Sequence, residues 1–535
     1  MLRDAVAALS LANILFLRIW GGLFAKASLP GYWSKQGAPP LELAAAGVGV
    51  LLLASLIFFV IRVVRQQEEL APKFQSKGIR AGAIVFFSVV GLAATLSLWV
   101  LFASKPDNIK NVMRVIIAGA GGVGIATFTV GYLRGSRRVL KGFLQVMSVL
   151  APLVILCFGE AAYLALKYNP QAYLGFDLAP RLQVSPTAPH VVWIIFDEWD
   201  NDLTFLDPPK GLSTPELDRF RDESIYCDKA ETPGPQTDVS MPALTMGRVV
   251  TGFQQTSIST MRLTTPQGPI SWNKAPTIFS DARNAGFNTS VVAWALPYCR
   301  VFSGTLTNCF WSADDSRQRT QSLPALVADD VRRLFETEAR SLFGQTRRAA
   351  DHAWLYHRIL GRSLEAVSAE KDNLILLHLP IPHRPYFYDS STGKDDFMAE
   401  PFSFLKSPQR GYVEMLKLVD LTAGQIRRTM ESAGVWDKTT VLISADHPDR
   451  NRSSYDGKPM GHTVPYILKL AGHHEKLVYD RPFSALVTRA LLMAVLRREV
   501  STPEEVAGWL DKHSTDFAIP QLQTRHAAAT AATLH

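Results

Sequence analysis

Residues 191–197 have the sequence VVWIIFD, in which six apolar residues run directly into an aspartate. A short apolar run rich in β-branched and aromatic residues predicts a strand that is buried on both faces. Similar runs lie further along the chain at 290–294, 373–378 and 440–445. Strands of this kind occur mainly in parallel sheets covered by helices, so the chain from residue 190 onward is predicted to be an α/β domain.

Helix-like stretches separate these strands, and they lie at 215–224, 276–285, 325–340 and 411–433. Strands that alternate with helices predict a mostly parallel sheet with helices on both faces. We therefore expect one catalytic domain over residues 190–519, which is long enough to bury a large core. The alanine- and threonine-rich segment 520–535 is predicted to be a disordered tail.

The first third of the chain is strongly apolar, and it raises the hydrophobic content to 47% and the mean hydropathy to +0.07. Five stretches of about 20 residues are each long enough to cross a bilayer as a helix; they lie at 7–25, 43–64, 81–103, 112–133 and 143–166. Residues 1–168 are therefore predicted to form a bundle of about five transmembrane helices. The proline-rich segment 169–189 is predicted to be a linker.

Basic residues are concentrated in the second and fourth loops between these stretches. By the positive-inside rule, both loops and the N-terminus are cytoplasmic, and everything after the fifth helix is outside. We expect a multi-pass protein of the bacterial cytoplasmic (inner) membrane with a periplasmic catalytic domain. The net charge of +8 is then explained by loops beside anionic lipid, and no nucleic-acid partner is predicted.

Carboxylate and imidazole side chains stand where the predicted strands end. They are Asp197 after the first strand, His378 and His383 at the end of the third, and Asp446 with His447 after the fourth. In open α/β sheets the carboxyl ends of the strands form the edge where ligands bind. Thr237 and His462 complete a set of seven residues that predicts one metal site at this edge.

The chemistry of these residue types points to phosphoryl or sulfuryl transfer. A divalent metal ion can bind a hydroxyl, lower its pKa and hold it in line for attack, and Thr237 is the predicted nucleophile. With Asp197, Asp446 and His447 it forms an oxygen and nitrogen set that suits Zn²⁺, while Mn²⁺ or another divalent ion stays possible. The remaining histidines would hold a second ion, or donate to substrate oxygens and the leaving group; they are His378, His383 and His462.

The cysteine count excludes a zinc site built from cysteines alone. Cys299 and Cys309 lie ten residues apart in the part predicted to be external, where an oxidising compartment allows a disulfide. Cys227 is predicted to be a buried free thiol.

Several short motifs appear in one order along the chain. They are TPELDR at 214–219, AGFNT at 285–289, Asp446-His447, and GHTVP at 461–465. Together they resemble the sulfatase-like branch of the alkaline phosphatase superfamily. Sulfatases mature a Cys or Ser in C/S-x-P-x-R, but here Ser240 starts SMPAL, which lacks the arginine. Ser240 is therefore kept only as an alternative nucleophile.

Within that branch the chain is most similar to membrane-anchored phosphoethanolamine transferases and lipoteichoic acid synthases. Thr237 begins TDVSMP, which matches the T-x-x-S-x-P of the transferases, and His378 and His383 match their H-x4-H pair. The usual metal-binding glutamate is Asp197 here, with Glu198 as a possible second ligand. Pro448 replaces the glycine of the family's DHG, and the cysteines that flank the transferase nucleophile are missing.

This resemblance implies an enzyme that holds one or two zinc ions. It would move a phospho-alcohol head group, such as phosphoethanolamine or phosphoglycerol, from a membrane phospholipid to an envelope lipid or glycan through phospho-Thr237. One alternative is a hydrolase of the same superfamily, a phosphodiesterase, phosphatase or sulfuric ester hydrolase. Another is an inactive membrane-anchored partner in envelope assembly, which would bind no metal.

Overall fold

The computed structural model describes residues 1–28, 40–69, 137–168, 176–257, 260–312, 322–335, 342–398, 408–454 and 457–514, with short pieces between 82 and 130. Its helices are α1 Leu2–Ser28, α2 Pro40–Glu69, α3 Arg137–Val149, α4 Ala151–Lys167, α5 Pro215–Asp222, α6 Thr237–Met246, α7 Ile278–Asn284, α8 Tyr298–Val301, α9 Leu323–Phe335, α10 Leu342–Ser368, α11 Pro408–Ser432, α12 Thr488–Leu496 and α13 Pro503–His513. Its strands are β1 His190–Asp197, β2 Ile225–Cys227, β3 Ala230–Glu231, β4 Gly252–Gln255, β5 Met261–Thr265, β6 Gly268–Ser271, β7 Thr289–Trp294, β8 Asn308–Ser312, β9 Leu374–Pro382, β10 Tyr388–Asp389, β11 Lys394–Asp395, β12 Thr439–Ala445, β13 Tyr466–Lys469, β14 Leu477–Tyr479 and β15 Phe483–Ser484.

The chain divides into two compact units, of which the first is helical. Among the described residues, three segments of this unit are long and apolar enough to cross a membrane: Leu2–Phe24, Pro40–Gln66 and Leu140–Lys167. They account for the first, second and fifth of the predicted spans. The predicted spans at 81–103 and 112–133 lie mostly outside the described residues. The structure therefore supports three candidate spans and does not test the other two.

Helices α1 and α2 pack side by side through buried apolar side chains, among them Phe16, Trp20 and Val50. Close approach is possible because Gly49 faces the Phe16 ring, which leaves no room there for a larger residue. The Arg65 guanidinium lies 3.0 Å from the Asp4 carboxylate, so the end of α2 lies beside the start of α1. The two helices therefore run antiparallel.

Helix α9 belongs to this helical unit although it follows β8 in sequence. Its apolar stripe includes Leu326 and Val327, which are buried against Ala45 of α2. We expected a helix at 325–340 to cover the sheet of the catalytic domain. The helix is present, but that expectation about its packing was wrong, because its apolar stripe is buried by the N-terminal helices.

The second unit is built on an eight-stranded sheet with the order β14-β2-β13-β12-β1-β9-β7-β8. β1 pairs in parallel with β12 on one side and β9 on the other, and β7 and β8 continue the parallel arrangement. β13 is antiparallel to both of its neighbours. The predicted α/β domain with a mostly parallel sheet is confirmed, including all four predicted strands.

Burial explains the composition of the central strands, since β9 and β12 are buried at every position. Flanking helices begin at clear sequence signals: Thr277 and Ser280 form a reciprocal capping box at the start of α7, and Thr502 and Glu505 do so at α13. The predicted disulfide between Cys299 and Cys309 is present, and Cys227 is a buried free thiol. The predicted tail at 520–535 lies outside the described residues.

Candidate metal centre

Two aspartates from neighbouring parallel strands meet at the carboxyl edge of the sheet. Asp197 ends β1 and Asp446 follows β12, and both side chains are fully buried. Asp446 Oδ1 accepts hydrogen bonds from the backbone N–H groups of Glu198, at 3.2 Å, and His447, at 2.9 Å. Its other oxygen, Oδ2, and Asp197 Oδ1 are buried without a hydrogen-bond partner. Both aspartates therefore present an unpaired oxygen at this edge.

The His447 ring is held in one tautomer by its own loop. Its Nδ1 lies 2.9 Å from the Pro448 carbonyl oxygen, which can only accept, so Nδ1 carries the proton. Nε2 is left with a lone pair and lies 3.5 Å from Asp446 Oδ2. Because the backbone carbonyl makes this contact, a proline at 448 preserves it as a glycine would.

His378 also lies in this group. β9 pairs with β1 so that His378 is opposite Ile195, two residues before Asp197, which places its ring on the same face as the Asp197 side chain. His378 Nε2 lies 3.4 Å from Asp197 Oδ2 but is buried without a hydrogen-bond partner. Its Nδ1 lies 2.8 Å from the hydroxyl of Tyr298. We had grouped His378 with His383 and His462; the strand register instead brings it to the aspartates.

Thr237 is the first residue of α6, and its hydroxyl points at this group. Thr237 Oγ1 donates to Asp197 Oδ2 at 3.2 Å and lies 3.4 Å from His447 Nε2. The free N–H groups at the start of a helix and its dipole favour an anion at this position. Ser240, one turn later, is fully buried and donates its hydroxyl to the Gly234 carbonyl at 2.9 Å. The geometry therefore supports Thr237 over Ser240 as the nucleophile.

These residues fit a divalent cation. One ligand atom each from Asp197, His378 and Asp446 lie within 4.8 Å of one another, and all three side chains are buried. The unpaired atoms Asp197 Oδ1, Asp446 Oδ2 and His378 Nε2 would be costly to bury without a partner, and an ion would supply one. Thr237 and His447 border the same space. A mixed set of carboxylate and imidazole donors suits zinc or another transition metal.

Burial and mutual charge shape the protonation of this group. Burial alone would raise the pKa of Asp197, but the imidazoles of His383, His378 and His447 outweigh it and lower that pKa. The pKa of Asp446 is raised, first by burial and then by the charge of Asp197. Burial would lower the pKa of His447, yet Asp446, Asp197 and Glu198 together raise it. The opposite directions for Asp197 and Asp446 show that the two carboxylates lie close together in a buried site, where a cation would stabilise the charged form of both.

Glu198 belongs to a second group at the mouth of the site. Its backbone has a φ of 65°, a left-handed conformation that costs about 1–3 kcal/mol for such a residue. Its carbonyl accepts from Tyr412 Oη at 2.7 Å, and its buried carboxylate accepts from Arg450 Nε at 2.5 Å. Arg450 Nη2 also donates to His383 Nε2 at 2.9 Å. The buried Glu198 carboxylate is thus paired with the partly exposed Arg450.

His383 and His462 lie outside the buried cluster. His383 is partly buried, and its Nε2 lies 3.9 Å from Glu198 Oε2. His462 is exposed and lines a cavity of about 450 Å³ beside the loop that precedes Thr237. Of the predicted residues, the structure therefore unites Asp197, Thr237, His378, Asp446 and His447, and it places His383 with Glu198 at the mouth.

Sequence reasoning gave no role to Tyr298 or Arg450. Both follow the end of a sheet strand, β7 for Tyr298 and β12 for Arg450, which is the same signal that identified the aspartates. A tyrosine beside a cysteine and an arginine in a polar loop are too common to be chosen on that signal alone.

The sulfatase family matches residues 189–490, from the start of β1 into α12. A comparison with curated proteins found no match. Among solved structures, the chain is similar to the phosphonate monoester hydrolase of Agrobacterium radiobacter, with 14% identity, a TM-score of 0.40, and coverage of 58% of this chain and 74% of that one. It is also similar to the PsFucS1 sulfatase from a Pseudoalteromonas species, with 14% identity, a TM-score of 0.39, and coverage of 58% and 68%.

Proposed function

The chain belongs to the sulfatase family, and we propose that it moves a phospho-alcohol head group from a membrane phospholipid to an envelope lipid or glycan. Members of this family are enzymes of the alkaline phosphatase superfamily that depend on a divalent metal ion. The proposed head group is one such as phosphoethanolamine or phosphoglycerol.

The observation that carries the proposal is the position of the Thr237 hydroxyl. It lies 3.2 Å from Asp197 Oδ2 and 3.4 Å from His447 Nε2, at the start of α6. A bound divalent ion would lower the pKa of this hydroxyl and neutralise charge that develops on the phosphoryl group. Asp197, Asp446, His447 and His378 are the residues that would hold the ion.

In the proposed reaction, Thr237 Oγ1 attacks the phosphorus of the phospholipid, and the bond from phosphorus to the diacylglycerol oxygen breaks. The hydroxyl of Thr237 loses a proton and the leaving diacylglycerol gains one, so the step is balanced. An acceptor hydroxyl then attacks phospho-Thr237 and restores the free threonine.

Membrane anchoring supports a lipid donor. Three segments are apolar enough to span a bilayer, and the ion pair between Asp4 and Arg65 places the start of α1 and the end of α2 at one membrane face. The basic loop that follows α2 favours the cytoplasm for that face. We therefore propose a cytoplasmic N-terminus and a periplasmic catalytic domain, which cysteine labelling of intact cells at introduced surface sites would test.

Vesicles that contain the purified chain and head-group-labelled phosphatidylethanolamine or phosphatidylglycerol would test the transfer. We expect a phospho-alcohol adduct on Thr237 by mass spectrometry, followed by label in an added envelope lipid. Thr237→Ala should give no adduct, whereas the matched control Ser240→Ala should still give one. An adduct on Ser240, or no adduct on the parent protein with its metal bound, would contradict the proposal.

A hydrolase is the second candidate, favoured by the family match to sulfatases. It would release free phospho-alcohol or sulfate into water and leave the added lipid unlabelled, so the same experiment separates the two. An inactive assembly partner is the third possibility. It predicts no bound metal, which the buried unpaired oxygens of Asp197 and Asp446 argue against.

A further inference from the structure

Helix α9 interrupts the catalytic domain in sequence. β8 of the eight-stranded sheet precedes it and α10 follows it, and both of these elements belong to the second compact unit. Helix α9 itself belongs to the helical unit. The linker at 169–189 is therefore not the only connection, because the chain leaves the catalytic domain after β8, adds one helix to the N-terminal helices and returns at α10.

This connection is made by an apolar stripe on α9. Leu326 and Val327 are buried against Ala45 of α2. Val331 and Leu334, further along the helix, pack against the main core of the helical unit. Apolar residues at intervals of three and four positions lie on one face of a helix. That face of α9 is therefore covered by the N-terminal helices.

The contact lies near the end of a candidate membrane-spanning helix. Ala45 is the sixth residue of α2, which begins at Pro40, so the contact is about 8 Å along the helix axis from its start. The opposite face of α9 carries Asp329, which pairs with Arg332 at 2.6 Å and with Arg333 at 3.1 Å. Charged side chains are costly in hydrocarbon. Helix α9 therefore fits the membrane surface at the start of α2 and not the bilayer core.

The same contact supports the proposed orientation of α2. Because α9 is continuous in sequence with β8 and α10, the start of α2 has to face the side of the membrane that holds the catalytic domain. The ion pair between Asp4 and Arg65 lies at the other end of α2. The basic loop after that end favours the cytoplasm, so two separate observations agree that the start of α2 is its outer end.

We propose that α9 is a second attachment of the catalytic domain to the membrane helices, and that its partner is the outer end of α2. A single linker limits how far a domain can move but leaves it free to rotate. A second attachment restricts that rotation and so limits which face of the catalytic domain can meet the bilayer. The attachment does not depend on the proposed transfer, since it requires no particular substrate.

Cutting the linker tests this attachment on the full-length protein in detergent. A protease site is inserted within 169–175, because Asp177 is already bonded to the catalytic unit: its carbonyl accepts from the Gly304 N–H at 2.7 Å. After cleavage, we expect the catalytic fragment to stay bound to N-terminal helices that carry an affinity tag. The contact is apolar, so the fragment should stay bound in about 1 M salt.

Two substitutions at one position should weaken the attachment by different amounts. Leu326→Asp places a charge in the buried stripe and should release the catalytic fragment after cleavage. Leu326→Ala loses apolar burial alone and should weaken the attachment about 10–100-fold. The matched control is Ala328→Asp, which adds the same charge to the exposed face of the same helix and should leave the fragment bound. Release of the parent fragment, or full retention of the Leu326→Asp fragment, would overturn the proposal.

A pair of introduced cysteines tests the contact without a disruptive charge, which keeps the test valid if Leu326→Asp does not fold. Ala45→Cys combined with Leu326→Cys should join the two fragments by a disulfide on a non-reducing gel, because both positions belong to one buried cluster. Ala45→Cys combined with Ala328→Cys is the control and should not join them. No cross-link in the first pair, or equal cross-linking in both, would contradict the attachment.

Activity of the uncut protein tests whether the attachment orients the catalytic domain. Leu326→Asp should lower transfer from phospholipid in vesicles at least about tenfold. Turnover of the water-soluble ester bis(4-nitrophenyl) phosphate should be unchanged, because that substrate reaches the site from any direction. Equal loss on both substrates would exclude the orienting role. A parent protein that cannot use phospholipid would remove the proposed function, while retention of the cut fragment would still decide whether α9 is an attachment.

Discussion

Replacing Tyr298 by phenylalanine should weaken metal binding without touching any proposed metal ligand. The Tyr298 hydroxyl lies 2.8 Å from His378 Nδ1, and both side chains are fully buried. If His378 binds the ion through Nε2, its Nδ1 must carry the proton and donate to the tyrosine oxygen. Tyr298→Phe removes that acceptor and leaves a buried N–H without a partner.

The size of the effect follows from the cost of that unpaired group. A buried donor without an acceptor costs about 1–3 kcal/mol. The free protein can avoid this cost by moving the proton to Nε2, but the metal-bound protein cannot, because the ion needs the Nε2 lone pair. The cost therefore falls on the bound state, and metal affinity should fall by about 10–100-fold.

The assay is a competition titration of zinc between the protein and a chelator of known affinity. Cobalt-substituted protein adds a spectroscopic readout, since its visible absorption reports ligand geometry. Tyr356→Phe is the matched control, because the Tyr356 hydroxyl is also buried and bonded to Thr422 Oγ1 at 2.8 Å, outside the metal cluster. We expect that control to lose stability but keep the zinc affinity of the parent.

Two outcomes would refute this reasoning. Tyr298→Phe could bind zinc as tightly as the parent protein does, with the same cobalt spectrum. Alternatively, both tyrosine variants could lose zinc affinity to the same extent, which would reflect general destabilisation. The first outcome would remove His378 from the proposed ligand set, and the second would remove the specific role of Tyr298 in metal binding.

Two further predictions concern charge. Asp446→Asn should lower the bound metal to well under one ion per chain, because an amide lacks the negative charge of the unpaired Asp446 Oδ2. Elemental analysis measures the metal content, and full metal content in this variant would exclude Asp446 as a ligand. Lys469 is buried and donates to the carbonyls of Trp436 and Thr439, and burial lowers its pKa to about 8. Between pH 8 and the ordinary lysine pKa of 10.5, the unfolded chain binds one more proton at Lys469 than the folded chain does. The free energy of unfolding should therefore rise by up to about 3 kcal/mol over this range, because the cost of burying the charged amine is relieved as pH rises. Thermal unfolding should therefore show a rise from pH 8 to 10 that is smaller in Lys469→Met, and equal pH dependence in the two proteins would contradict this.

Much of the architecture could be predicted from local pattern. The run at 191–196 is apolar on both faces, which only a covered strand can bury, and the structure places it at the centre of the sheet. The apolar length of α1 and α2 indicated candidate spans directly. Asp197 and Asp446 could be predicted as site residues because each directly follows a strand of a parallel sheet, and such strand ends share one edge.

Packing partners could not be predicted in the same way. The stripe of Leu326 and Val327 identifies an amphipathic helix, but it does not say whether the sheet or α2 covers that stripe. The choice depends on which apolar surface is left uncovered once the rest of the chain has folded.

The sequence by itself determined the alternation of strands and helices, the apolar spans and the residue types of the metal cluster, because each depends on neighbours within a few positions. Only the tertiary structure decided that His378 joins the aspartates, that the Tyr298 hydroxyl contacts His378 Nδ1 from 80 residues away, and that Arg450 meets Glu198 across 252 residues. These contacts depend on strand register and on loops that return to one sheet edge. Register and loop path follow from the free energy of the whole fold, so no local pattern of residues encodes them.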